Sequence, residues 1–264
     1  MASEIPIYQI DAFASRVFAG NPAAVCPLED WLPDEVLQGI GSENNLAETA
    51  FFVHRQDGDY DLRWFTPAAE VDLCGHATLA GAYVIDRYLE PGRDKVRFHT
   101  ASGALDVTRE EDLYTLDFPA YLPAPVAPDV AAGVAEAIGS RPLEVLQEKM
   151  FLALLTDEAA VRTADPDLNA VTALPGDGLI ITAPGEECDF VSRYFAPHVG
   201  IPEDPVTGSA HCRLTPYWSR RLDKTRLTAR QISKRGGDLW VEDRGERALI
   251  SGRCVPYLVG RITV

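Results

Sequence analysis

Two short stretches, set about half the chain apart, carry the residue types that could do chemistry. They are Asp72-Leu73-Cys74-Gly75-His76-Ala77-Thr78 and Asp204-Pro205-Val206-Thr207-Gly208-Ser209-Ala210-His211. In each, small residues stand where an irregular segment should turn into a helix. A helix start leaves its leading N–H groups without an intrahelical acceptor and carries the positive end of the aligned peptide dipoles. Such an end holds an anion without a lysine or arginine. Gly75, Ala77, Thr207 and Gly208 are the positions whose backbone would grip a substrate. Two such ends would hold a small carboxylate and leave polar side chains beside it. That favours an enzyme acting on a small acid over a scaffold.

Glu48 is the first candidate for proton transfer. It lies between Ala47 and the apolar run Thr49-Ala50-Phe51-Phe52, where partial desolvation would raise a carboxyl toward values useful near neutral pH. The competing reading is a strand-edge glutamate in water. His76 falls in the first turn of its helix, where the dipole disfavours an extra proton and keeps the imidazole neutral; a purely structural helix-start histidine is the alternative. Cys74 reads either as a thiolate helped by the same dipole or as a small buried hydrophobe. Asp204 and Ser209 read either as helix caps or as a catalytic carboxylate and a hydroxyl gripping substrate. Cys74 and His76 with His211 and Cys212 match no standard zinc spacing. No dinucleotide fingerprint, P-loop or Gly-x-Ser-x-Gly turn occurs.

The elements that must position these groups follow from periodicity and turn chemistry. Ile5 to Ala12 alternates weakly and predicts a strand, followed by turn residues at Phe18-Ala19-Gly20-Asn21-Pro22 and a short strand from Ala23 to Cys26. A helix is expected from Pro33 to Ile40, then strands at Glu48–Val53 and Asp61–Phe65. Gly75 to Leu89 is apolar almost all round, so a helix there must be buried on every side, as inside a sheet curled about it. Strands are expected at Val96–His99, Ala104–Thr108 and Tyr114–Phe118. Residues 119–128 hold four prolines and read as a linker. A similar series follows: a helix over Asp129–Ile138, strands near Met150–Leu155, Leu179–Thr182 and Asp189–Phe195, and the second helix start at Gly208. Leu239–Glu242, Ala248–Ser251 and Tyr257–Thr263 close the chain as strands. The order suggests a duplicated α+β unit with a cleft between the halves.

Bulk properties exclude several classes. The chain has 264 residues, enough for about two domains of roughly 100–200 residues. A formal net charge of -16, with the acidic residues scattered, argues against nucleic acid as a partner. The arginine-richer stretch from Arg213 to Arg235 reads as a helix surface or subunit contact. Five cysteines without a Cys-x-x-Cys suggest free thiols in a reducing cytosol. The opening residues lack a cationic start and apolar core, so no secretory signal is expected, and no apolar run is long enough to span a membrane. A cytoplasmic location is the expectation.

Taken together, Asp11-Ala12-Phe13, Phe18-Ala19-Gly20-Asn21-Pro22-Ala23-Ala24-Val25, Asn45-Leu46-Ala47-Glu48-Thr49-Ala50-Phe51, Arg63-Trp64-Phe65-Thr66-Pro67, Glu70 through Thr78, and Glu203 through Ala210 resemble the phenazine-biosynthesis PhzF-like family. The resemblance implies a diaminopimelate-epimerase-like α+β fold: two similar domains, 1–118 and 119–264, each a curved, mostly antiparallel sheet around a central helix. The strand near 255–264 could pack back on the first domain. It also implies an active site between the domains, a homodimer, and neither cofactor nor metal. The family's best understood member isomerises a dihydro-hydroxyanthranilate by moving a proton between ring carbons. Its acid/base glutamate falls on Glu48, and its active-site histidine, aspartate and serine fall on His76, Asp204 and Ser209. The related epimerases use two cysteines; Cys74 stands at the first such place and Thr207 roughly at the second. An amino-acid epimerase assisted by Cys74 and a non-catalytic metabolite-binding protein are the alternatives.

Overall fold

A computed structural model describes residues 4–264. The chain divides into two compact units: one runs to Asp117 and takes in Ser251–Val264, and the other is Phe118–Ile250.

In the first unit, β1 (Glu4–Ala12) leads through a tight turn into β2 (Asn21–Leu28). The turn needs Gly20: its φ is +65°, and a Cβ there would lie 2.1 Å from the Ala12 carbonyl oxygen. The strand exceeds the expected Ala23–Cys26 at both ends and includes Pro22 and Pro27. Next come α1 (Asp34–Asn44), β3 (Glu48–His54), β4 (Tyr60–Phe65) and the short β5 (Glu70–Val71). Helix α1 outruns its expected end at Ile40. Gly41 stays helical because its bare Cα lets the helix close on β4, a Cβ there being 3.1 Å from that of Phe65. Asn45, in the left-handed region, then stops it.

Helix α2 (Gly75–Val84) is buried at every residue from His76 to Val84. Its sequence has no polar face, so an all-apolar environment is the only stable one. A π-helical turn, Ile85–Leu89, prolongs it. Strands β6 (Lys95–Thr100), β7 (Gly103–Glu110) and β8 (Leu113–Pro119) complete the run. The ladder is mostly antiparallel, with parallel joins between β2 and β3 and between β4 and β6.

The second unit repeats the plan with more helices. The expected linker is instead built in. Its Ala124–Pro125 (β9) pairs with Glu144–Gln147 (β10), and the Tyr121 N–H donates to the Cys212 carbonyl. Pro216, inside the later helix, has no N–H to offer that carbonyl, and Tyr121 takes its place. Helices α3 (Pro128–Ile138), α4 (Glu158–Thr163) and α5 (Leu168–Ala173) pack around Phe151, Leu179, Ile181 and Val191. The two short helices escaped sequence analysis although Asp157 and Asp167 cap them.

Strands β11 (Phe151–Leu154), β12 (Leu179–Pro184), β13 (Phe190–Ala196) and β14 (Ile201–Asp204) lead to α6 (Gly208–Leu222), buried from Ala210 to Ser219. Its Trp218 stacks on Phe190 at 5.6 Å and donates to Thr182 Oγ1. Then come β15 (Arg226–Gln231), β16 (Gly237–Asp243), β17 (Arg247–Gly252) and β18 (Cys254–Thr263). The arginine-richer stretch is therefore no continuous surface: Arg213 is buried on α6, and residues 226–231 are a strand. Strand β18 pairs with β1 over its whole length. Among the described residues, no helix is long and apolar enough to cross a membrane.

Candidate active site

Glu48 is the first residue of β3, placed opposite Ala23 of β2. Cys74 caps α2 in an extended conformation, and its side chain bonds none of the leading amides. Those of Gly75 to Ala77 keep the outward aim that helix geometry gives them. The fold of this unit brings three side chains together. His76 Nε2 lies 3.3 Å from Glu48 Oε2, and His76 Nδ1 lies 3.5 Å from Cys74 Sγ. The Glu48 side chain is only 13% exposed and that of His76 8%. The His76–Glu48 approach is a charge-pair distance without the alignment of a hydrogen bond.

Burial pushes the His76 imidazole down to about 3, so at neutral pH the ring is uncharged. The Glu48, Cys74 and His76 donor atoms lie within 4.8 Å of one another, close enough to test against a metal. The His76 ring turns a different nitrogen to each neighbour, as a proton relay requires.

In the second unit Thr207 caps α6 as Cys74 caps α2: extended, with no side-chain bond to its own helix. Its hydroxyl donates instead to Asp204 Oδ2. Gly208 is buried and Ser209 exposed, with the Ser209 carbonyl accepting from Arg213 at 3.0 Å. His211 is fully buried, held down to about 4 mainly by that burial, and its Nδ1–H donates to the Thr207 carbonyl at 2.8 Å. Cys212 Sγ lies 3.5 Å from the Gly208 carbonyl. His211 Nδ1 and Cys212 Sγ thus face carbonyls of their own helix start.

Gln231 and Arg213 also belong to this neighbourhood. Gln231, 0% exposed, closes the Asp204–Thr207 turn: its Oε1 accepts from the Thr207 N–H at 2.9 Å, and its Nε2 donates to the Asp204 carbonyl at 2.7 Å. Arg213 is enclosed by Glu148 and the Tyr121 ring. A signal for Gln231 existed. Leu227, Ala229 and Gln231 alternate with Arg226, Thr228 and Arg230, which puts a glutamine on the inward face of a strand.

The described fold and these residues have relatives. The PhzC–PhzF profile, described as phenazine biosynthesis-like protein, matches residues 10–260. An uncharacterized isomerase of Pseudomonas aeruginosa is 52% identical over 260 residues, covering 98% of this chain and 99% of that one. The crystal structure of an Enterococcus faecalis PhzF-family protein is 45% identical, with a TM-score of 0.95 over 99% of this chain and 100% of that one. A hydroxyproline epimerase from Agrobacterium vitis shares the fold alone: 12% identity and a TM-score of 0.60, over 99% of this chain and 93% of that one. The chain belongs to the PhzC–PhzF family of phenazine biosynthesis-like proteins, an isomerase-type family with an epimerase-like α+β fold.

Proposed function

We propose that this protein is a cofactor-independent isomerase that shifts a proton within a small unsaturated carboxylic acid, with Glu48 as the acid/base. The observation that carries this reading is the Glu48 carboxyl, nearly enclosed, facing a neutral imidazole at 3.3 Å beside a helix start with no side-chain cap bond. The substrate carboxylate docks on the leading amides of α2, at Gly75–Ala77. Glu48 takes a proton from carbon next to the unsaturated system. The electron pair left behind spreads into the conjugated carbons and carboxylate, where the same amides stabilise it. The protonated Glu48 then returns the proton at another carbon. No oxidation state changes, so the reaction calls for no redox group.

His76 faces the Glu48 carboxyl. With Cys74 a thiol, its S–H donates to Nδ1 and the ring proton sits on Nε2, toward Glu48. The family resemblance assigns Asp204 and Ser209 to the same reaction. The contact between Cys74 and His76 favours a second reading, a Cys74-assisted epimerase. A two-thiol version is disfavoured because Thr207 stands at the matching cap and its hydroxyl is committed to Asp204.

The test is NMR in deuterium oxide with a panel of unsaturated and amino carboxylic acids, dihydro-hydroxyanthranilate among them. Deuterium should enter one compound with the native protein, and Glu48→Gln should slow entry by about 10²–10⁴-fold or more. Cys74→Ala should change it little. Exchange that survives Glu48→Gln but needs Cys74 would transfer the assignment to the epimerase reading.

A further inference from the structure

We infer that Gln231 is a positioning residue that sets the protonation of Asp204 through the Thr207 hydroxyl. The inference concerns the site of the proposed isomerase, but its geometry stands without that reading. Gln231 lies at the end of β15, wholly buried, with its carboxamide against the Asp204–Thr207 turn. Three bonds fix which way the amide points. Its oxygen accepts from the Thr207 N–H at 2.9 Å, so its nitrogen must face the oxygens: the Asp204 carbonyl at 2.7 Å and Thr207 Oγ1 at 3.1 Å. A flipped amide would set N–H against N–H and oxygen against oxygen.

That orientation has a consequence one bond further on. Thr207 Oγ1 accepts from Gln231, so its own proton is directed at Asp204 Oδ2. The chain runs one way, from amide to hydroxyl to carboxylate, and its last acceptor is best satisfied as an anion. A donor aimed at the charged form of a carboxyl lowers its proton affinity. Gln231 takes up the Thr207 N–H, an amide the sequence had offered to substrate. Its reach to Asp204 is through the turn and the hydroxyl.

Other titratable groups surround the turn. Tyr194 of β13 is paired opposite Asp204, and its own proton is held by burial and by the Asp204 and Asp177 charges. Glu203 is paired with Arg193. On α6, His211 donates to the Thr207 carbonyl and Arg213 is paired with Glu148. The hydroxyl and amide of Thr207 and Gln231 carry no charge, so removing either leaves the net charge beside Asp204 unchanged.

The experiment is a carbon-13 NMR titration of the aspartate carboxyls in the full chain, with the Asp204 signal identified by its loss in Asp204→Asn. In Gln231→Met and in Thr207→Val the Asp204 midpoint should rise by at least about half a pH unit, by similar amounts. Thr207→Ser should restore it, and the double variant should shift no further than either single one. Thr207→Val keeps both Gln231 bonds to the backbone of the turn, so it answers the question even if Gln231→Met folds poorly. An unmoved midpoint in Thr207→Val, or shifts that add in the double variant, would overturn the inference. Deuterium incorporation measured on the same variants separates the two readings. A raised midpoint with incorporation unchanged upholds the role of Gln231 and removes Asp204 from the chemistry.

Discussion

Two histidines inside this protein are kept neutral by burial, and that has a measurable cost in acid. His76 is pushed down to about 3 and His211 to about 4, against an ordinary value of about 6.5. Between those values the unfolded chain binds protons that the folded chain refuses. Stability therefore rises with pH through that window, is complete above about pH 6.5, and falls as the medium is acidified toward pH 3–4. Each histidine should account for on the order of 1–2 kcal/mol of loss at pH 5. Urea unfolding at pH 5 and pH 7 checks this. His76→Asn and His211→Asn should each flatten the pH dependence, and an unchanged slope in both would refute the assignment. The same neutrality matters for chemistry: a His76 imidazolium would neutralise the Glu48 carboxylate that the proposed reaction needs as a base.

At the scale of elements, the two cap-and-helix pieces organise each unit. Helix α2 has no polar face, so its stability comes from contact on all sides, and truncation should be felt in full. Leu79→Ala, at a position with 0% exposure, should cost about 2–5 kcal/mol in thermal or urea unfolding. A loss below 1 kcal/mol would mean that the surrounding strands collapse onto the gap. This helix was legible in the sequence because an all-apolar run beginning at Gly75 has few other homes. The second helix start was legible from Gly208 and Ser209 in the same way. The partners of Gln231 were not, because Asp204 and Thr207 lie more than twenty residues away and only the fold closes that distance. Arg213 misled for a related reason. An arginine among apolar residues reads as surface until Glu148, which neutralises it, is found 65 residues earlier. Local pattern reveals what a segment buries, while long-range polar pairing is set by topology. The contact of Glu48 with His76 is likewise a product of the fold, since tertiary packing sets the start of β3 against the first turn of α2.

At the scale of the whole chain, the second unit is an insertion. Phe118–Ile250 forms one compact body, and the chain then returns to the first with Ser251–Val264. Within the first unit, β1 pairs with β2 only from Tyr8 to Ala12, while β18 pairs with all of Glu4–Ala12. Residues Glu4 to Ile7 therefore depend on β18 for their ladder. Deleting residues 254–264 should abolish amide-exchange protection at Ile5 and Ile7 and lower the stability of the first unit, read by hydrogen exchange with mass spectrometry. Protection that survives the deletion would show that burial of those two side chains suffices. The pairing also orders events on the ribosome. At about 5–20 residues per second, the roughly 240 residues between these strands take on the order of ten to fifty seconds to make. For that time β1 has an open edge, while the inserted unit, complete before β18, is free to fold. Nascent chains should be most prone to aggregate in this interval, and a chaperone that shields strand edges should matter more to yield than one acting after release.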